Sequence, residues 1–349
     1  MLGQLKAEIP NSRILWTNGD LTYVARGMRF WTEGGNGQKS RETTVPGSGL
    51  ERAVSFFRVS RQTLRLGIHH LWPLPDGAHL IVARKRAFRL EPHSGECRVV
   101  LRFPRGNKPA HRGVCVTGEG HVFMGEYVMN LDRTQPIAVY RSLDRGNTFS
   151  PVLTFAPGEV RHVHFVQWDP FERALWMGTG DADPECRLYR STDHGDTWEL
   201  IGGGSQLWRA VCVAFRPEAL YWGTDAGSDT GRHPNTIVRL DRNTQSLQTL
   251  RGIQGPCHGC STLRDGTIVL STGVEGGVNE EDARAHLWMS RDGSAWSEVA
   301  SYRKDGLPFL VQYGVLRFPP GLEMSTRLAF TGMGLVGAGE KAFFYSESS

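Results

Sequence analysis

The sequence predicts an all-β protein: a seven-bladed β-propeller of four-stranded antiparallel blades, a single domain over residues 1–349, with the ring closed by an N-terminal strand that joins the last blade. Three observations predict it. A turn motif recurs at a steady interval along the chain. Alternating segments rich in β-branched and aromatic residues precede the copies. The 42 glycines and 10 tryptophans among 349 residues supply many turns and many large packing groups, which suits short strands better than helices.

The motif is clearest in Ser142-Leu143-Asp144-Arg145-Gly146-Asn147-Thr148-Phe149. It returns as Ser191-Thr192-Asp193-His194-Gly195-Asp196-Thr197-Trp198, and one residue shorter as Ser290-Arg291-Asp292-Gly293-Ser294-Ala295-Trp296. The chemistry is that of a hairpin turn. The Asp carboxylate accepts from turn N–H groups, the glycine takes a positive φ, and the aromatic ring packs between neighbouring sheets. These residues are therefore expected to be structural.

The intervals call for further, degenerate copies. They are found at Val238-Arg239-Leu240-Asp241, Phe88-Arg89-Leu90-Glu91, Phe30-Trp31-Thr32-Glu33 and Phe344-Tyr345-Ser346-Glu347. The acidic positions 33, 91, 144, 193, 241, 292 and 347 recur every 52 residues or so, about the span of a four-stranded blade. Seven third strands mean seven blades. The chain ends just after the seventh, so that blade lacks an outer strand. The segment Gln4–Ile9 precedes the first repeat and is expected to supply it, removing an exposed sheet edge.

Strands are expected at 163–168, 174–178, 187–191 and 198–201 in the fourth blade. In the fifth they are expected at 210–215, 220–223, 236–240 and 247–250. Residues 34–49, rich in Gly, Ser and Thr, read as a long loop inserted in the first blade. Phe57-Arg58-Val59-Ser60 reads as part of an outer strand.

The repeat resembles the Asp-box of the sialidase-like β-propellers, S-x-D-x-G-x-T-W/F. The resemblance implies the propeller fold along most of the chain and, by analogy, a carbohydrate-related role. It does not reach sialidase chemistry. No F/Y-R-I-P motif is present, seven blades replace the sialidases' six, and the neighbours of the sialidase nucleophile are missing around Tyr313.

Other function classes are narrowed by composition. Forty basic and 36 acidic residues give a net charge of +4 without a Lys/Arg block, so no nucleic-acid partner is expected. No apolar run is long enough for a membrane span. The first residues form no apolar leader, so the expectation is a cytoplasmic chain with reduced thiols; an exported protein whose leader lies outside this sequence is the alternative. Cys257-His258-Gly259-Cys260 is an incomplete zinc pattern. Cys115, Cys212 and Cys260 fall at nearly equivalent inner-strand positions that call for small buried residues.

In propellers of this kind the innermost strand of each blade starts at one end of the central channel, and the second strand finishes there. The inner-strand starts hold Asn11 to Arg13, His69-His70, His111-Arg112, Arg161-His162 with His164, Trp208-Arg209, Cys257-His258 and Gln312-Tyr313. The second strands end near Glu126, Asp181 with Asp183, Asp225 and Glu275. A rim of imidazoles, guanidiniums and carboxylates has the parts for acid–base chemistry. His162, His164, Tyr313, Glu126, Asp181, Asp225 and Glu275 are the catalytic candidates. Arg112, Arg161, Arg209, Trp208 and Gln312 are the substrate-binding candidates. His70, His111, His162 and His258 are the candidate ligands of one divalent transition metal: manganese, zinc or iron. Which residue of the His69/His70 pair, and of the His162/His164 pair, faces the channel is left open.

The function expected is action on an acidic saccharide at the channel mouth. Metal- or arginine-assisted β-elimination from a uronate is preferred slightly over hydrolysis by paired carboxylates. In elimination, a His or Tyr313 takes the α-proton. Seven-bladed lyases using His and metal resemble this chain in architecture and residue type. The remaining alternatives are a non-catalytic binding or assembly propeller and a four-histidine iron oxygenase. Substrate, linkage and oligomeric state are not read from the sequence.

Overall fold

The computed structural model describes residues 3–35, 37–47, 53–55, 58–64 and 66–347. Seven four-stranded antiparallel sheets follow one another along the chain and make a seven-bladed β-propeller. In the first six blades the strands pair in chain order. The seventh is built from Val315–Arg317, Arg327–Met333 and Lys341–Glu347, and Leu5–Pro10 completes it by pairing Ile9 with Ala342 and Glu8 with Phe343. This is the closure expected of the spare N-terminal segment. Among the described residues no helix is long and apolar enough to cross a membrane.

All seven acidic repeat positions lie on third strands or within two residues of their ends. The side chain of Glu347 lies outside the described residues. In the turn after Ile137–Ser142, Asp144 Oδ1 accepts from the backbone N–H of Asn147 at 3.0 Å and of Thr148 at 2.9 Å, while Thr148 Oγ1 donates to Oδ2 at 2.6 Å. Ser142 Oγ accepts from Gly146 N at 2.8 Å. The bonds recur at Asp193 with Thr197 and at Asp292 with Ser294 and Ala295. The turn is entered through positive φ at Arg145 and Gly146, and again at His194 and Gly195. Donors gathered around each carboxylate hold Asp144, Asp193 and Asp292 down to about 2, so these groups are permanently ionised clamps, not acid–base catalysts.

The described residues form two compact units. One comprises residues 68–212, with blades two to four; the other comprises 1–67 and 213–349, with blades one, five, six and seven. In the first, Leu80, Val82, Val114, Val122 and Met124 fill the space between blades two and three. Val139, Val163, Val166, Leu175 and Met177 do so between three and four. In the second, Leu287, Leu316, Phe318, Phe330 and Phe343 pack blade six on blade seven. Each such side chain contributes about 1.5–3 kcal/mol by leaving water. Cys115, Cys212 and Cys260 are buried among these elements, as small core residues would be.

The structure departs from the sequence reading in three places. The insertion at 34–49 is not wholly a loop: Thr43–Thr44 pairs with Arg29 and Phe30 as the outer strand of blade one, and Val45 is buried behind it. Residues 48 and 49 lie outside the described set. Arg58–Thr63 is a short α-helix in place of the expected outer strand, and Phe57 lies outside the described residues. A buried ion pair from Arg61 to Glu340, with a hydrogen bond from Arg61 to Ser55 O, holds that segment in place. In blade five the first strand is only Ala214–Phe215. Residues 210–213 are not part of it, and Gln206–Trp208 ahead of them turns as a 3₁₀ helix in which Gln206 donates to Asp181 O at 2.9 Å and to Asp183 at 2.7 Å.

In four blades the first strand slips by one residue against the second. The bulged residues are Leu15, His69, His164 and His258. A bulge re-aims the side chain it carries. Three of these four are histidines, which turns a backbone irregularity into a way of placing imidazoles.

Candidate functional site

A cluster of polar side chains in the 68–212 unit forms where the first strand of blade four, His162–Asp169, meets the end of the second, Ala174–Gly180. His162 pairs with Gly180 in the ladder, and His164 is the bulged residue two positions on. Both imidazoles therefore reach the same end of the blade. Gly180 is required for this: a Cβ there would fall 2.5 Å from His164 Cε1.

Hydrogen bonds fix the two rings. His162 Nδ1 lies 2.8 Å from Val128 O, and His164 Nδ1 lies 3.1 Å from Ala210 O. A carbonyl only accepts, so each Nδ1 carries its proton and each Nε2 presents a lone pair. Those lone pairs converge. His162 Nε2 is 3.0 Å from His164 Nε2, and Asp181 Oδ1 is 2.9 Å from His164 Nε2 and 3.5 Å from His162 Nε2. Among the described residues, His162, His164 and Asp181 are the one group of three or more His, Cys, Asp or Glu side chains drawn together closely enough to hold a metal ion.

Three acceptors facing one another with no proton between them repel. A cation must lie at their focus: a proton on one ring, or a metal ion. Burial opposes the proton, and it holds the His164 pKa below its ordinary value against the pull of Asp181. Donor atoms about 2.1 Å from a metal are about 3.0 Å apart at octahedral angles and about 3.4 Å apart at tetrahedral ones. The observed separations fall close to that range. Nδ1 bonds to backbone carbonyls are also the outer contacts that metal-bound imidazoles use.

Asp181 is buried, which disfavours its charge. A proton carried on either imidazole facing it outweighs burial and holds its carboxyl far below the usual range. Arg161 forms an ion pair with Oδ2, and Arg209 Nη2 lies 3.0 Å from Oδ1. The carboxylate thus joins two imidazoles to two guanidiniums, and the cluster carries net positive charge. Around it, Glu185 accepts from Arg133 Nε at 2.7 Å and from Arg161 N at 3.0 Å. Arg161 Nε donates to Met129 O at 3.0 Å. The ring of Tyr127, half-exposed, lies 4.1 Å from that of His162.

The other candidates read from the sequence fall elsewhere. Arg112 is buried one strand away, its carbonyl accepting from Val166 N at 2.9 Å. Glu126 is buried and holds the scaffold: it accepts from Ala138 N at 2.8 Å, Arg105 at 2.8 Å and Tyr140 at 3.3 Å. Trp208 lies over Gly202 of the outer strand. His70 Nε2 is 3.3 Å from Pro109 O, and neither His70 nor His111 belongs to the metal-competent group. Of the expected metal ligands, His162 meets a second histidine of its own strand and a carboxylate. The bulge at His164 brings its ring to that of His162, while residues of separate blades need a narrow axis to meet.

In the other unit, His258 Nε2 lies 2.9 Å from Glu275 Oε1, and Tyr313 borders the imidazole with ring centroids 6.3 Å apart. Asp225 is buried close enough for its charge to act on His258. Gln312 donates to the carbonyl of Tyr313. The contributions of Tyr127, Arg133, Glu185 and Gln206 are ones the sequence does not announce. Glu185 and Gln206 sit in short 3₁₀ turns that leave no periodicity, and Pro184 is the local signal of the first of them.

No protein family and no curated protein sequence matches the chain. Solved structures do. An oligogalacturonate lyase from Vibrio parahaemolyticus superposes with a TM-score of 0.60 at 11% identity, covering 99% of this chain and 90% of that one. An oligogalacturonate lyase in complex with manganese gives 0.60 at 12% identity, covering 98% and 97%. A GH74 xyloglucanase from Xanthomonas campestris gives 0.59 at 15% identity, covering 85% of this chain and 46% of that one, so the chain spans about half the length of that enzyme. At these identities the likeness is one of fold.

Proposed function

We propose that the protein acts on an acidic saccharide, with His162, His164 and Asp181 as a divalent transition-metal centre and Arg161 and Arg209 beside it to receive a carboxylate. The observation that carries this reading is the convergence of three fixed lone pairs on one point, flanked by two guanidiniums. The repeated Asp-clamped turns support placing the chain with the Asp-box propellers of the sialidase-like type, on which sugar chemistry is common. The manganese-bound oligogalacturonate lyase of the same fold is consistent with it.

The reaction this arrangement suits best is β-elimination from a uronate. The proton α to the carboxylate leaves to a base, its electron pair forms the new carbon–carbon double bond, and the β carbon–oxygen bond breaks. The leaving oxygen then takes a proton. When bound, the metal would supply positive charge to the uronate carboxylate and so acidify the α-proton. Arg161 and Arg209 add to that charge and orient the carboxylate in their fork geometry. His162 and His164 act as ligands and not as bases, because their Nδ1 protons are committed to Val128 and Ala210. The base that this unit offers is the phenol of Tyr127, whose half-exposed ring lies tilted against that of His162. Glu126, already saturated with hydrogen bonds, serves to hold the segment that leads from the strand end into Tyr127.

The test is an assay of the metal-supplemented protein on oligogalacturonates, reading the ultraviolet absorbance of the unsaturated product. Turnover that falls about 100-fold or more in His164→Ala supports the reading. Reducing sugar released without that absorbance would replace elimination by hydrolysis. No change on any uronate would overturn it.

A further inference from the structure

The blade-four cluster has a partial copy in blade six. The first strand of blade six, Cys257–Thr262, is bulged at His258 as that of blade four is at His164. The residue before each bulge pairs with a threonine, Thr272 and Thr179. Each threonine is followed by a glycine over which the imidazole lies: a Cβ on Gly273 would collide with His258 Cδ2. Each strand then delivers a carboxylate to Nε2, Asp181 directly after its glycine and Glu275 one residue later, where the longer side chain makes up the distance. The same backbone device thus presents a carboxylate-paired imidazole twice.

The surroundings differ. Two positions before the bulge, blade four has His162 and blade six has Pro256, so the second lone pair is missing and the blade-six pair is not among the metal-competent groups. Where Arg161 and Arg209 flank Asp181, the blade-six imidazole feels a second carboxylate, Asp225, and one arginine, Arg317. Half-exposed rings complete the setting: Tyr313 borders His258, and Phe309 packs against Gly276 beside Glu275.

We propose that His258, Glu275 and Tyr313 form a second ligand site, one that takes a neutral polyhydroxylated ligand such as an uncharged saccharide. The paired carboxylates repel an anionic ring. Hydroxyl groups can both donate to Glu275 and exchange hydrogen bonds with the imidazole, and the apolar face of a sugar ring suits an exposed aromatic side chain. Burial disfavours the charged imidazole, but Glu275 and Asp225 outweigh it and raise the His258 pKa. The site stands independently of the reading given to blade four.

The experiment uses the full chain labelled with ¹⁵N-histidine, with the His258 ring resonances assigned through His258→Gln. Cellobiose, maltose and lactose are titrated as neutral probes, and digalacturonate as the charged one. The expected result is a saturable shift of the His258 nitrogens with at least one neutral disaccharide, weakened about tenfold or more in Tyr313→Ala. Digalacturonate leaves them unmoved. Tyr313 is exposed, and unchanged His162 and His164 resonances certify the fold of the variant while reporting separately on the blade-four site. No shift with any neutral probe, an undiminished shift in Tyr313→Ala, or a larger shift with digalacturonate each overturns the proposal.

Discussion

In blade four the bulged residue of the first strand is His164, and in blade six it is His258. Each imidazole lies over a glycine of the second strand, and each has a carboxylate oxygen 2.9 Å from Nε2. From that common start the two sites diverge through a few side chains. Blade four adds a second imidazole and two arginines, and becomes a cationic, metal-competent centre. Blade six adds a carboxylate and aromatic rings, and becomes an acidic dyad open to a neutral ligand. The backbone of a propeller blade thus fixes where an imidazole and a carboxylate meet. The residues at the adjacent positions decide what the pair is for.

The comparison breaks most visibly at the carboxylates. Asp181 compensates Arg161 and Arg209 in a buried setting, so Asp181→Ala leaves buried positive charge and is expected to cost about 3–5 kcal/mol in urea unfolding. Glu275→Ala removes a partner from a less buried pair that one imidazole can leave by losing its proton; its expected cost is on the order of 1 kcal/mol. Equal costs would mean that the two pairs are not differently embedded.

The glycines sharpen the comparison. Neither Gly180 nor Gly273 has a positive φ, so an alanine there tests space alone. Gly180→Ala and Gly273→Ala are each expected to cost about 1–3 kcal/mol by forcing the imidazole aside. Gly180→Ala should disturb the His162 and His164 resonances, and Gly273→Ala those of His258. A variant that leaves its own imidazole unmoved would show that bulge and glycine do not together place the ring.

The smallest expected effect is in the pH dependence of stability. The folded pKa of His258 is raised above the ordinary 6.5, so its ion pair stabilises the protein fully below that value. The contribution is lost as pH rises through the folded pKa. Thermal unfolding across that window should show a gentle decline that Glu275→Gln abolishes. A wild-type profile identical to that of the variant would contradict the pairing.

Much of the fold is legible in the sequence because its signals are local. Serine, aspartate and glycine at fixed offsets specify a turn, and that turn repeats, so the blade count and the closing strand Leu5–Pro10 follow from spacing. The site is legible in part. Asp181, His162, His164, Arg161 and Arg209 can be named from strand ends, but not their grouping. The bulge at His164 is a backbone event that no side-chain pattern encodes. It brings both histidines of one strand together, where the sequence suggests one from each of four blades. Arg209 reaches Asp181 from the end of the turn Gln206–Trp208, which Gln206 ties to the Asp181 carbonyl, a tertiary contact with no local pattern. The helix Arg58–Thr63 escapes the sequence for a similar reason: a distant partner, Glu340, pairs with Arg61 in a segment too short to show a helical period.

The central proposal is that blade four, and not blade six, holds a metal. Elemental analysis of untagged protein, exposed to manganese, zinc and iron and then dialysed, tests this directly on wild type, His164→Ala and His258→Ala. The predicted result is about one equivalent of transition metal in wild type and in His258→Ala, and its loss in His164→Ala. Metal absent from wild type, or retained in His164→Ala and lost in His258→Ala, would contradict it.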